Sequence, residues 1–151
     1  LILIALDQLS KYWAQQTLRN QPPVIFWNDF FRFDYAENPG AFLGMGDSLS
    51  DPLRFWVFTI LVFFLMVGLA VFMHLRHRPR LETWAYSLVF AGGIGNLIDR
   101  AFHANGRVVD FMNMSLIVIR TGIFNIADMA IMLGLVLLLF SGQSEKTAGP
   151  R

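Results

Sequence analysis

The 151-residue chain contains no cysteine, only three histidines, and charged side chains at just 15% of its positions. Without a thiol there is no disulfide, no thiolate nucleophile and no thiolate-held metal. Twelve basic residues stand against eleven acidic ones, a net charge of +1, so nothing electrostatic favours a nucleic-acid partner. A zinc site needs several ligands brought together. His74 and His77 are three apart in an arginine-rich run that reads as a solvated loop, and His103 stands alone among polar residues. No metal and no cofactor is expected. No internal repeat is long enough to indicate duplication.

What the chain has in abundance is apolar surface: 55% of its residues are hydrophobic and fifteen are Phe. A hydrocarbon core of about 30 Å demands apolar segments of about 20 residues. The composition therefore predicts an integral membrane protein, and its length one domain over residues 1–151. The expected fold is membrane all-α, a bundle of four transmembrane helices with a small extramembrane β-rich element and a short amphipathic segment. The helices are expected near 1–18, 53–75, 83–102 and 122–140, with outer loops at 19–52 and 103–121.

The first stretch opens purely apolar, then carries Asp7, Gln8, Lys11, Gln15 and Gln16. Asp7 and Lys11 are four apart with the acid first, the favourable order for an ion pair on one helical face. The start at Leu1, with neither Met nor a basic region, is not expected to be an intact signal peptide, and a few residues are expected to precede it. Pro22 and Pro23 stop the helix. Val24 to Tyr35 is aromatic and β-branched, suited to strands at an interface, followed by an Asn38-Pro39-Gly40 turn and an amphipathic Ala41 to Met45.

Leu53 to Leu75 is the clearest span, closed by Arg76, Arg78, Pro79 and Arg80. Three arginines in so short a connection place it in the cytoplasm. Both termini then face the cytoplasm and both structured loops face outward. In the third span Gly92, Gly93 and Gly95 permit close helix contact. In the second loop Val108 to Met112 and Leu116 to Ile119 read as short strands. This topology brings three acids, Asp99, Asp110 and Asp128, to one outer level.

A carboxylate inside a bilayer costs roughly 2.5 to 3.5 kcal/mol, so it faces the bundle interior with a partner or a task. The third and fourth helices each carry N-x-x-D, Asn96 with Asp99 and Asn125 with Asp128. At that spacing each Asn shares a face with its own Asp and can donate an amide hydrogen bond to it. Two carboxylates within reach of one another hold one proton between them near neutral pH. Such a pair can hydrolyse an amide with neither metal nor covalent intermediate. Helix geometry alone pairs Asp99 with Asp128. The structural alternative has Asp99 ion-paired with Arg100 or Arg107, locking two helices together. Serine chemistry wants a free Lys or His base, and Lys11 is better explained by Asp7.

With these residues in view, the chain resembles the signal peptidase II family, the prolipoprotein signal peptidases of the bacterial inner membrane. The likeness rests on D-Q-x-S-K (Asp7 to Lys11), the N-x-G turn with its Phe (Asn38, Gly40, Phe42), G-N-x-x-D-R (Gly95 to Arg100), V-V-D-F (Val108 to Phe111) and F-N-x-A-D (Phe124 to Asp128). Ala41 alone separates Gly40 from Phe42, where family members often have one more small residue. The resemblance implies an aspartic endopeptidase that cuts diacylglyceryl-modified prolipoproteins just before the lipidated cysteine. It moves the catalytic pair to Asp110 and Asp128. It implies supporting or substrate-binding roles for Asn38, Gly40, Asn96, Asp99, Arg100, Asn125 and Ala127, with Asp7 and Lys11 a structural pair. The partners implied are the prolipoprotein substrates and membrane lipids, with no obligate protein partner. Two other readings of the residues are a small proton-coupled transporter and a non-enzymatic membrane scaffold.

Overall fold

A computed structural model describes residues 1–40, 46, 48–75, 77–103, 106–116 and 119–147. Four long helices occupy the four expected stretches: α1 (Ile2–Thr17), α2 (Asp51–Leu75), α3 (Arg80–Phe102) and α4 (Ile126–Thr147). Of the described helices, α2 is the one long and apolar enough by itself to cross a membrane, and none of its apolar window is buried. Within it the turns from Trp56 to Leu61 are π-helical. The amphipathic segment expected over Ala41 to Met45 lies outside the described residues.

The burial pattern is inside out. Asp7, Lys11, Asp99, Asp110, Asn113 and Asn125 are buried, while Phe63, Phe64, Leu65, Met132, Leu133 and Leu139 are exposed. In water this would waste apolar burial and desolvate charge. Against lipid it is the arrangement that costs least, because the exposed side chains match the solvent and the polar ones find each other.

Glycine sets how near the helices come. A Cβ at Gly92 would strike the Ala127 carbonyl of α4, and one at Gly134 would lie 2.6 Å from the Ala85 carbonyl of α3. The two helices meet backbone to backbone. At Gly95 the neighbour is α1: a Cβ there would sit 2.6 Å from Oδ2 of Asp7.

Four antiparallel strands form one sheet in the order β1 (Val24–Phe26), β2 (Phe31–Asn38), β3 (Val108–Leu116), β4 (Ile119–Arg120). In the second loop, where the sequence predicts short strands over Val108 to Met112 and Leu116 to Ile119, the first runs on to Leu116 and the second is the two-residue β4. The β1–β2 turn runs through Trp27, Asn28 and Asp29, all at positive φ. The sheet packs on α1 through Ala14, Leu18 and Phe111, with Phe33, Tyr35, Met112 and Ile126 around them. Trp13 meets Phe33 edge-on at 5.3 Å between ring centroids.

One irregularity in the sheet has chemical weight. Phe33 pairs with Met112, yet Ala36 pairs with Asp110 and Asn38 with Val108, so β2 carries one residue more than β3 between these pairs. A slip of one residue reverses the face that every later side chain presents. The bulge therefore turns Asn38 to the face of the sheet that Asp110 occupies.

The fourth helix starts at Ile126, four residues later than expected. Phe124 instead forms an antiparallel bridge with Met112, its N–H donating to the Met112 carbonyl at 2.8 Å and its carbonyl accepting from Met112 N–H at 2.9 Å. That bridge ties the start of α4 to β3.

Candidate active site

The N-x-x-D pair at Asn125 and Asp128 is a helix cap. The N–H of Asp128 donates to Oδ1 of Asn125 at 2.9 Å, and the N–H of Asn125 donates to Oδ2 of Asp128 at 3.2 Å. This reciprocal exchange satisfies two amides that the first turn of a helix leaves without partners. A third, the N–H of Ala127, donates to Oδ1 of Asp7 at 2.9 Å. Ala127 is fully buried, with its Cβ 3.3 Å from the place a Cβ on Gly95 would take. A larger side chain would push α4 off α3. Capping thus holds Asp128 at the mouth of α4.

The matching pair on α3 behaves otherwise. Asn96 does not donate to Asp99, as spacing suggested, but to Oδ1 of Asp128 at 2.9 Å. Asp99 is fully buried and accepts from the N–H of Val109 at 3.0 Å and from Gln8 at 2.9 Å, while Lys11 lies 3.1 Å from it. Neither Arg100 nor Arg107 takes Asp99, as the structural alternative had it; its cation is Lys11. Pairing with Lys11 leaves Arg100 to other work: it donates to the carbonyls of Pro39, Gly40 and Gly106, pinning both outer connections.

Asp110 comes to the same place from the sheet and is 2% exposed. Its Oδ1 accepts from Nδ2 of Asn125 at 2.6 Å and its Oδ2 from Nδ2 of Asn38 at 2.9 Å. Oδ1 of Asn38 in turn accepts from the N–H of Gly40 at 2.9 Å. Asn38, implied to hold substrate, is here engaged with an acid. Burial, and then the charge of Asp128, push the Asp110 carboxyl up to about 7, against the two amide hydrogen bonds that favour its ionised form. Such a group is poised to hold or lose a proton at neutral pH.

Asp110 and Asp128 line one cavity of about 220 Å³ with Asn38, Asn96, Arg100, Phe58, Val62, Gly93, Leu97, Val108 and Ile131. Its wall is polar at the acids and apolar toward α2. Asp99, although near, is not part of this lining. Among the described residues no three His, Asp or Glu side chains are grouped as metal ligands would be. Two carboxylates, steadied by three asparagine amides and open to an apolar-walled cavity, can activate water and donate a proton to a carbonyl.

Gln8 escaped the reading of the sequence beyond its place in D-Q-x-S-K. Its amide joins α1 to α3 by donating to the Gly95 carbonyl at 3.1 Å and to Asp99. The signal was its position next to Asp7 in the polar stripe of α1. The cap at Asn125 was also legible, since Asn three residues before an acid at the head of an apolar run marks a helix start.

The family model for signal peptidase (SPase) II matches residues 1–142. A protein of Psychromonas ingrahamii named lipoprotein signal peptidase is 35% identical over 99% of this chain and 84% of its own length. One of Chlorobium phaeobacteroides, with the same name, is 37% identical over 91% of this chain and 83% of its own. In structure, the chain is similar to a bacterial membrane enzyme solved by the in meso method at 2.3 Å, with a TM-score of 0.85 and 27% identity over 99% of this chain and 88% of that one. A second such enzyme, at 1.9 Å, gives a TM-score of 0.79 and 28% identity over 93% and 86%.

Proposed function

The chain belongs to the signal peptidase II family, an aspartic-type protease that removes signal peptides from prolipoproteins, and from that premise we propose that Asp110 and Asp128 are its two working acids. The observation that carries the assignment is their common cavity, with Asn125 hydrogen-bonded to both. At neutral pH the pair holds one proton. The ionised acid takes a proton from the attacking water, and the protonated one donates to the scissile carbonyl, so the tetrahedral intermediate forms without a charged oxygen. As the C–N bond breaks, the acid that took the proton of water gives it to the leaving amine and the other recovers one from a hydroxyl of the intermediate, which completes hydrolysis and restores the pair.

The substrate is a precursor whose cysteine carries a diacylglyceryl group, cut just before that cysteine. The exposed apolar sides of the helices support this reading, since acyl chains and the signal helix can stay in lipid while the peptide bond reaches the acids. All four helices span the bacterial inner membrane with both termini in the cytoplasm, and the sheet and acids lie near the outer face. The arginines at positions 78 and 80 support that orientation. The whole chain acts as one unit, and Asn38, Gly40, Asn96, Arg100 and Asn125 serve the acids or the loops around them. The transporter alternative finds no support, because the matched relatives are peptidases and the acids gather at one end of the bundle.

The test is cleavage of a diacylglyceryl-modified precursor peptide in detergent, with chelator present. Wild type should cut, while Asp110→Asn and Asp128→Asn should lose activity by about 10³-fold or more and stay folded. Activity surviving in Asp110→Asn but lost in Asp99→Asn would return the pair to the two helices.

A further inference from the structure

Lys11 is 2% exposed, and its ammonium has three acceptors. They are Oδ2 of Asp7 at 2.9 Å, Oδ2 of Asp99 at 3.1 Å and Oδ1 of Asn96 at 2.9 Å. An ammonium has three protons to donate and accepts nothing. Two carboxylates would suffice to hold a buried lysine. The third acceptor is an amide whose other end serves an acid of the proposed pair.

A side-chain amide has an accepting end and a donating end. Oδ1 of Asn96 is occupied twice, by Lys11 and by Nδ2 of Asn125 at 3.1 Å. Its Nδ2 is thereby turned to Oδ1 of Asp128 at 2.9 Å. Were the amide reversed, oxygen would face carboxylate and NH₂ would face both the ammonium and the Asn125 amide. In a buried setting three such mismatches are prohibitive. Asp7 acts on the same place by a second route, holding Lys11 with one oxygen and the N–H of Ala127, next to Asp128, with the other.

We propose that Lys11 is a positioning residue for peptide cleavage, which fixes the Asn96 amide so that it donates to Asp128; the proposal rests on the two-acid reading above. A pair that merely joined Asp7 to Lys11 along one helix would leave the Asn96 oxygen to a single neutral donor, Asn125, at 3.1 Å. The charged groups around this point are Asp7 and Lys11 from α1, Asp99 and Arg100 from α3, and Asp110 from β3.

The experiment is the pH dependence of precursor cleavage in detergent by wild type, Lys11→Met and the double variant Asp7→Asn with Lys11→Met. The double variant removes one charge of each sign, so the net charge near the acids is unchanged, and Asp7→Asn keeps an oxygen for the N–H of Ala127. The double variant leaves one buried acid without the ammonium, Asp99, where the single variant leaves two, and so burdens the fold less. In both, kcat should fall about tenfold with KM within about twofold. The alkaline limb of kcat should move up by about one pH unit, because a carboxylate without its donor keeps its proton longer. A limb that stays in place, with kcat falling only as the folded fraction falls, overturns the proposal while leaving the pair intact. A wild type that does not cut the precursor, or Asp110→Asn and Asp128→Asn variants that do, overturn the two-acid reading and this inference with it.

Discussion

Nδ2 of Asn125 lies 2.6 Å from Oδ1 of Asp110, while the other end of the same amide accepts the N–H of Asp128. One side chain thereby caps a helix and spaces two acids. Replacing Asn125 with Ala should remove both functions. Loss of the cap, and of the buried amide's bonds to Asp110 and Asn96, should cost about 2 to 4 kcal/mol, and activity should drop by about 100-fold as the acids lose their common support. Thermal unfolding in detergent beside kcat separates the two effects, and a variant that keeps wild-type kcat while losing stability would reduce Asn125 to a cap.

The Asp110 carboxyl, pushed up to about 7 by burial and by Asp128, sets a pH window. Hydrolysis needs one proton on the pair, so raising the pH through about 7 should depress kcat by about tenfold per unit. Stability should move the same way. The folded state holds this proton at pH values where the unfolded chain, with an ordinary carboxyl, has released it. Folded protein therefore binds more protons between about pH 4 and 7, and stability falls as pH rises through that window. Melting temperature against pH for wild type and Asp110→Asn checks this, the variant losing that part of the slope.

Gly95→Ala should be destabilising by roughly 1 to 3 kcal/mol, because its Cβ would arrive 2.6 Å from the Asp7 carboxylate in a junction with no slack. Gly68→Ala, with nothing within 4 Å, should be neutral or stabilising by up to about 1 kcal/mol. Unfolding curves of the two variants in one detergent decide it. Equal effects would mean that the three-helix contact at Gly95 is loose in solution.

Arg100 holds the carbonyls of Pro39, Gly40 and Gly106 with a planar fork. A lysine offers a single point charge that cannot span them. Arg100→Lys should therefore loosen both outer connections, raising their rate of cleavage by an added protease and lowering kcat/KM by about tenfold. Unchanged proteolysis would mean that the loops are held by other contacts.

The membrane class, the four helical stretches and the N-x-x-D spacing on two of them could be read from the chain itself, because each depends on local facts. Apolar run length answers to the thickness of a bilayer, arginines beside a proline end a span, and N-x-x-D spacing puts two groups on one side of a helix. The resemblance supplied Asp110, which no helical period could have paired with Asp128. What remained hidden was which neighbour each group would choose. Asn96 serves Asp128 on another helix, Asp99 takes Lys11 and a strand amide, and Asp7 reaches an amide 120 residues away. Spacing along a helix says which way a side chain points, but not what waits there. The single-residue bulge in β2 that brings Asn38 to Asp110, and the bridge to Met112 that delays α4 until Ile126, exist only once strands have paired. Register is a property of two strands together, and so only the assembled fold could decide it.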